Sequence, residues 1–251
     1  MDPVELKKLL TRVRAGKVGV ADAMKKLKDL PFAELGFATI DTHRSIRMGF
    51  PEVVLGQWKT AEHCVKIAEA LESHGNGALL TRLQPEKAAA LAARFPHGVW
   101  HETARIFQLK PKRKPRAGNV AVVCAGTSDL PVAEEAAITA EAFGAKVTRV
   151  TDVGVAGIHR LLRKRHHFEG QHAIVAVAGM EGALASALGG LVGVPVVAVP
   201  TSVGYGGSFD GVTTLLAMMT ACASNVAVVN IDNGFGAGFY AALISRTKGK
   251  R

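Results

Sequence analysis

HAIVAVAGMEGALASALGGLVGVPVVAVP, residues 172–200, holds two continuous apolar runs on either side of a segment rich in Ala, Leu and Gly. Short runs of Val, Ile and Ala without polar alternation suit strands covered on both faces. The segment between them, 182–192, has the length and small-residue content of a helix. A strand, a helix and a strand in that order predict a parallel pair joined by a crossover. The rhythm continues outward in both directions. NVAVVCA (119–125) and KVTRVTD (146–152) precede the unit, and NVAVVNI (225–231) follows it. Helical segments at 131–143, 156–167, 211–223 and from 235 separate or follow them. The expectation over 119–251 is an α/β three-layer domain with a parallel, doubly wound sheet.

Residues 1–110 read differently. Leu6, Leu9, Leu10 and Val13 fall at helical spacing, so 1–30 predicts one or two short helices. FATID (37–41) and EVVLG (52–56) read as strands. A helix follows over 60–75, with Thr60 as N-cap and Gly75 as the stop. ALLTRL (78–83), a helix from Pro85 to Phe95 and HETARIFQL (101–109) complete a smaller α+β domain. The basic, proline-bearing run 111–118 is the expected linker.

Composition narrows the functional classes. Hydrophobic residues make up 48 % of the 251, which excludes a disordered chain, and aromatics make up only 6 %. Cys64, Cys124 and Cys222 form no CxxC pair and no disulfide framework, so a cytoplasmic setting is expected. The first residues are charged and lack the apolar core of a secretory signal. Gly, Pro, Asn and Asp break every long apolar stretch, so no membrane span is expected. The formal charge of +10 is concentrated in KPKRKPR (110–116), RKR (163–165) and the terminal KGKR. These runs are either solvated surface or an attraction for a phosphate-bearing ligand. Few aromatics and no recognised motif argue against nucleic acid. The histidines show no HExxH spacing, so no zinc site is expected.

Ligands of open α/β sheets bind outside the carboxyl ends of the strands. The loop after the first strand of this domain, AGTSDLP, offers Gly126 for a tight turn, two hydroxyls in Thr127 and Ser128, and Asp129 as a cap for the next helix. AGMEGALA, after the third, places Glu181 among small residues, either complementing a helix dipole or acting as a general acid/base. PTSVGYGGSFDG, after the fourth, combines four glycines with Ser202, Tyr205 and Ser208. NIDNGFGAG closes the fifth with Asp232, Asn233 and Gly234. Cys222 stands at the end of a helix before the last strand, as a small buried residue or as a nucleophile. In the first domain, Arg44, Arg47 and Lys59 either hold an anionic ligand or pair with Asp41 and Glu52.

The strings DTHRSIRMGFPEVVLG, AGTSDLPVAEEA, DVGVAGIHRLL, VAGMEGALASALGGLVGVPVVAVPTSVGYG and NIDNGFGAG stand in one order from about residue 37 almost to the end. The stretch 119–244 resembles the N5-carboxyaminoimidazole ribonucleotide mutase superfamily, whose Gly-Ser-x-Ser-Asp phosphate loop is similar to AGTSD. The whole chain resembles the pyridinium-3,5-biscarboxylic acid mononucleotide synthases (LarB). These open nickel-pincer nucleotide biosynthesis, the route to the lactate racemase cofactor. The resemblance implies a carboxylase and hydrolase that takes nicotinic acid adenine dinucleotide and CO2 to the biscarboxylated mononucleotide and AMP. It assigns the nucleophile to Cys222 and an acid/base role to Glu181, with Mg2+ as cofactor. It also implies a homo-oligomer, an octamer among the assemblies it allows.

Together with the loops, the candidate substrate-binding set is Gly126, Thr127, Ser128, Asp129, Gly179, Met180, Thr201, Ser202, Tyr205, Gly206, Asp232, Asn233, Gly234, Arg44, Arg47 and Lys59. One departure stands out: the family has a Gly before its Lys-Thr pair, where this chain has Trp58. Two alternatives remain open, an aminoimidazole ribonucleotide carboxylase or mutase and a non-catalytic nucleotide-binding protein.

Overall fold

A computed structural model of the chain describes residues 3–27, 32–44, 47, 52–74, 77–109 and 118–247. The chain divides into two units, Met1–Pro111 and Lys112–Arg251. The basic run 110–117 lies outside the described residues, as does Gly75.

The first unit begins with helices α1 (Pro3–Arg14) and α2 (Val20–Leu27) and an antiparallel hairpin of β1 (Phe32–Glu34) and β2 (Thr39–Asp41). A mixed sheet follows, made of β3 (Val53–Leu55), β4 (Leu79–Thr81), β5 (Val99–His101) and β6 (Ile106–Gln108), in the order β3-β4-β6-β5. Only β3 and β4 run parallel, because the helix α3 (Ala61–Ser73) carries the chain between them. Thr60 does cap α3, its hydroxyl accepting the His63 amide at 3.1 Å. Pro85 occupies the first turn of α4 (Pro85–Arg94), where its missing N–H is not needed. HETARIFQL divides into the end of β5, a turn and β6. Cys64, Ile67 and Leu71 of α3 pack with Leu80, Leu91 and Phe107 into the core of this unit.

The second unit is a parallel sheet of β7 (Asn119–Cys124), β8 (Lys146–Val150), β9 (Ala173–Ala178), β10 (Val196–Pro200) and β11 (Val226–Val228), in the order β11-β10-β9-β7-β8. Register is set by burial on both faces. Ala121, Val123, Ile174, Ala176, Val196 and Ala198 join one core cluster with Leu161, Leu184, Leu188 and Met218. Those four come from α6 (Ile158–Arg163), α7 (Ala183–Leu191) and α8 (Val212–Met219). The alternate residues face α5 (Leu130–Ala142) and α9 (Gly234–Thr247), which pack tightly on each other. A Cβ at Gly238 would lie 2.3 Å from the Ala136 carbonyl oxygen, so glycine is what lets α9 approach α5.

The last strand is shorter than 225–231 and helix α8 shorter than 211–223. Segment 156–167 holds α6 between two 3₁₀ turns. The last strand gives way before Asn230 and the segment 156–167 at its paired histidines, while α8 stops at Thr220. Among the described residues no helix is long and apolar enough to cross a membrane.

Candidate active site

Strands β7 and β9 are neighbours, yet the helices that follow them, α5 and α7, lie on opposite faces of the sheet. This is a topological switch point, where the loops diverge and leave a crevice. A cavity of about 290 Å³ sits there, lined by the loops after β7, β8 and β9. It brings together Gly126, Ser128, Asp129, Gly179, Met180 and Glu181 from the sequence-derived set. A larger groove of about 760 Å³ lies against β1 and α3 in the first unit. It does not lie at the carboxyl edge of the parallel sheet, so the switch-point cavity is the stronger candidate.

Asp129 organises the crevice. Only 3 % of it is exposed, and it precedes α5 without capping it. Its carboxylate instead turns back, accepting the Gly126 amide at 2.9 Å and the Thr201 hydroxyl at 2.7 Å. The expected cap role is thereby corrected: a buried carboxylate with a hydroxyl and an amide in reach gains more from both than from one helix N–H. Burial pushes the Asp129 carboxyl above its ordinary value, opposed by the Thr201 hydroxyl and the Gly126 and Gly179 amides. Asp232 works alongside it, its Oδ1 accepting the Ser202 amide at 2.9 Å. Two carboxylates thus anchor the carboxyl end of β10. Gly179 has no room for a side chain there, since a Cβ would meet the Val203 carbonyl oxygen at 2.2 Å. Thr201→Val should lower stability by about 1–3 kcal/mol, because it takes a hydroxyl donor from a buried carboxylate. Urea melts at constant m would measure it, and an unchanged midpoint would mean that Asp129 is held in some other way.

Backbone strain gathers at the same edge. Asp152, Met180, Phe209, Asp210 and Asp232 all have positive φ without being glycine. Such residues persist where surrounding structure holds them, often at functional sites. Asp152 also pairs with Arg160 at 2.7 Å, and both line the cavity. Sequence reading missed them because it passed over the loop after the second strand, TDVGVAG. The signal available was a helix start, rich in glycine, with a basic residue in its first turn.

Other expected residues lie elsewhere. Thr127, Tyr205 and Gly206 are exposed and do not line the cavity, and Thr201 sits behind Asp129. Asn233 caps α9, accepting the Gly236 amide at 2.8 Å. Gly234 serves packing, since a Cβ there would meet the Val132 carbonyl oxygen at 2.3 Å.

Cys64 and Cys124 are buried, and burial pushes both thiols up. Cys222 is exposed, in the loop beyond α8 and not within the helix. The reading of Cys222 as a small buried residue is therefore ruled out. Its neighbour Ala223 packs at the last turn of α7, where a Cβ on Gly189 would lie 2.6 Å from it. Glu181 precedes the first turn of the same helix. The start of α7 and the end of α8 are close, for a Cβ on Gly182, next to Glu181, would lie 3.1 Å from Met218, four residues before Cys222.

A family model described as LarB/PurE-like N-terminal domain matches residues 32–112, and one described as AIR carboxylase matches residues 119–251. The chain belongs to the AIR carboxylase family. An uncharacterized protein of Methanocaldococcus jannaschii is 38 % identical over 251 residues, covering 96 % of this chain and 97 % of the relative. The AIR carboxylase domain is the second unit, and the switch-point cavity belongs to it. The pairing of the two family models agrees with the LarB-type resemblance carried by the quoted strings.

In the LarB/PurE-like domain, Arg47 is spent on Asp41 at 2.7 Å, and Glu52 accepts the Asp41 amide at 2.7 Å. Arg44 acts on Glu52, whose carboxyl is raised mainly by burial. This is the paired surface that was the competing reading for Arg44 and Arg47. Lys59 lies at the other end of β3 from Glu52. No group of three His, Cys, Asp or Glu among the described residues could hold a metal ion. Both Asp129 oxygens are hydrogen-bonded, and Asp152 is paired. The described residues of the AIR carboxylase domain therefore do not form a cage for Mg2+.

Proposed function

We propose that this AIR carboxylase family member carboxylates C5 of the pyridinium ring of nicotinic acid adenine dinucleotide with CO2. It also hydrolyses the phosphoanhydride, releasing AMP and the biscarboxylated mononucleotide that begins nickel-pincer nucleotide biosynthesis. The single observation behind this reading is the exposed thiol of Cys222 beside two buried ones. A pyridinium ring is electron-poor, and its C5 cannot attack CO2. Addition of the Cys222 thiolate at C4 or C6 makes a neutral dihydropyridine whose C5 is an enamine carbon. That carbon attacks CO2 and leaves an iminium. Glu181 takes the C5 proton, the enamine re-forms, and expulsion of the thiolate restores the aromatic ring. The Gly126 and Ser128 loop and Arg160 hold the anionic groups of the substrate, with Asp129 bracing the loop. The carboxylation steps need no metal; in the hydrolysis water attacks phosphorus and AMP leaves, and Mg2+ carried by the substrate phosphates would neutralise their charge.

The protein acts as a homo-oligomer in this reading, with Cys222 of one copy meeting Glu181 of another. The reaction is assigned to the cytoplasm, in keeping with three unpaired cysteines.

One observation favours a second reading. The cavity in a single chain lacks Cys222, as suits carboxylation of an aminoimidazole ribonucleotide, which needs no thiol. Mass spectrometry of products decides between them. The protein is given bicarbonate and Mg2+ with either the dinucleotide or the aminoimidazole ribonucleotide. A mononucleotide with one added carboxylate plus AMP supports the first reading, and turnover of the ribonucleotide alone supports the second. Dinucleotide bound but left intact would mean a binding protein. Arg160→Ala should raise KM for whichever substrate is used by about tenfold or more. Its melting temperature should hardly change, since an exposed ion pair contributes little to stability.

A further inference from the structure

Glu181 lines the switch-point cavity, yet its carboxylate has no hydrogen bond or ion pair among the described residues. Only the main chain on either side of it sets where it points. β9 ends at Ala178 and α7 begins at Ala183, so Gly179, Met180, Glu181 and Gly182 make the turn between them. Both neighbours of Glu181 are left-handed, Met180 at φ 53° and Gly182 at φ 67°. Glycine adopts that region freely, but methionine does so only where surrounding contacts impose it. The Met180 amide donates to the Val203 carbonyl at 2.9 Å, and the Gly182 amide donates to the Gly179 carbonyl at 3.0 Å.

The remaining hold on this turn comes from α8. Thr214 is fully buried, and its hydroxyl donates to the Met180 carbonyl. Its methyl covers the other side of Glu181, since a Cβ on Gly182 would lie 2.9 Å from Thr214 Cγ2. A threonine in a helix ordinarily spends its hydroxyl on a carbonyl one turn back. Thr220 does so at the end of α8, donating to the Leu216 carbonyl at 2.9 Å. Thr214 instead bonds a residue 34 positions earlier in the chain.

We infer that Thr214 is a positioning residue for Glu181. Its hydroxyl on Met180 and its methyl against Gly182 fix the turn that presents the carboxylate to the cavity. The inference rests on the reading of Glu181 as the group that takes a proton from the carboxylated carbon. Carboxylation of either candidate substrate replaces a C–H bond by a C–C bond. The C–H electron pair returns to the ring, and the proton passes to the Glu181 carboxylate. A base must sit within hydrogen-bond reach of that proton, and a misplacement of about 1 Å costs on the order of a hundredfold in rate.

The test compares Thr214→Val, which keeps the shape and loses the hydroxyl, with Thr214→Ser, which keeps the hydroxyl. Hydrogen exchange read by mass spectrometry over residues 178–184 needs no activity. The valine variant should exchange the amides of this turn about tenfold faster, with the rest of the second unit unchanged, and the serine variant should stay close to wild type. With whichever substrate the wild type carboxylates, the valine variant should lose about tenfold or more in kcat at unchanged KM. Its isotope effect with deuterium on the carboxylated carbon should rise, because proton removal becomes the slow step. Loss of folded protein would lower kcat and leave the isotope effect alone. Serine should restore both. If the valine variant does not fold, Thr214→Ala removes the hydroxyl and the methyl together and is held to the same outcomes. Unchanged exchange over 178–184 in a folded variant would overturn the inference, as would a lower kcat with an unchanged isotope effect. A wild type that carboxylates neither substrate would instead refute the proposed reaction, and the exchange result alone would decide whether Thr214 holds the turn.

Discussion

Cys222→Ala is expected to abolish carboxylation of the dinucleotide, lowering kcat/KM by at least about a thousandfold. The reason lies in the ring. Without a nucleophile at C4 or C6 there is no enamine, and no placement of CO2 makes an aromatic pyridinium carbon react with it. Folding should survive, because Cys222 is exposed and lies in a loop outside the core clusters. Surface changes of this kind usually alter stability by less than about 0.5 kcal/mol.

A partner variant separates the nucleophile from the acid/base step. Glu181→Gln leaves the thiol able to add but removes the group that takes the C5 proton. A dinucleotide adduct on Cys222 should then accumulate and appear in the intact mass of the protein. Carboxylation at an undiminished rate by the alanine variant would remove Cys222 from the mechanism. An alanine variant that is inactive, with no adduct ever trapped on Glu181→Gln, would leave Cys222 needed for binding and not for covalent chemistry.

The parallel sheet was legible in sequence because strands buried on both faces leave unbroken apolar runs. Segments like NVAVVC (119–124) admit few other readings when helices separate them at regular intervals. The core of the cavity was legible for a related reason. Gly126, Asp129 and Glu181 follow strands directly, and the carboxyl edge of a parallel sheet is where ligands bind. What sequence could not show was which polar groups the fold would use on itself. Asp129 looks like a helix cap until Thr201, distant in sequence, is seen to donate to it. Asn233 looks like a ligand and is a cap. Arg47 looks like a phosphate grip and is paired with Asp41. Only the first depends on a contact distant in sequence; the other two are local, and the pairing of Arg47 with Asp41 is one of the two readings the sequence leaves open. Cys222 posed the reverse problem. The helical pattern of MMTACA suggested burial, but the helix stops at Met219 and leaves the thiol in solvent.

Mixing two inactive proteins should restore activity. If each site takes Cys222 from one copy and Glu181 from another, neither Cys222→Ala nor Glu181→Gln alone forms a working site. In an equal, freely exchanged mixture half the copies retain each residue. About a quarter of the sites would then hold both, as expected for a symmetric assembly with randomly placed subunits. The mixture should therefore reach about a quarter of the wild-type rate, far above either parent. Cys222 lies outside the lining of the switch-point cavity that holds Glu181. Exposed Tyr205, Phe209, Leu216 and Met219 on and before α8 offer an apolar surface on which a second copy could seat. The alternative makes an opposite prediction. If both residues act within one chain, every copy in the mixture carries one lesion, and no exchange repairs it. The mixture would then stay inactive while size-exclusion chromatography showed mixed oligomers. A monomer at micromolar concentration with full wild-type activity would end the shared-site reading outright.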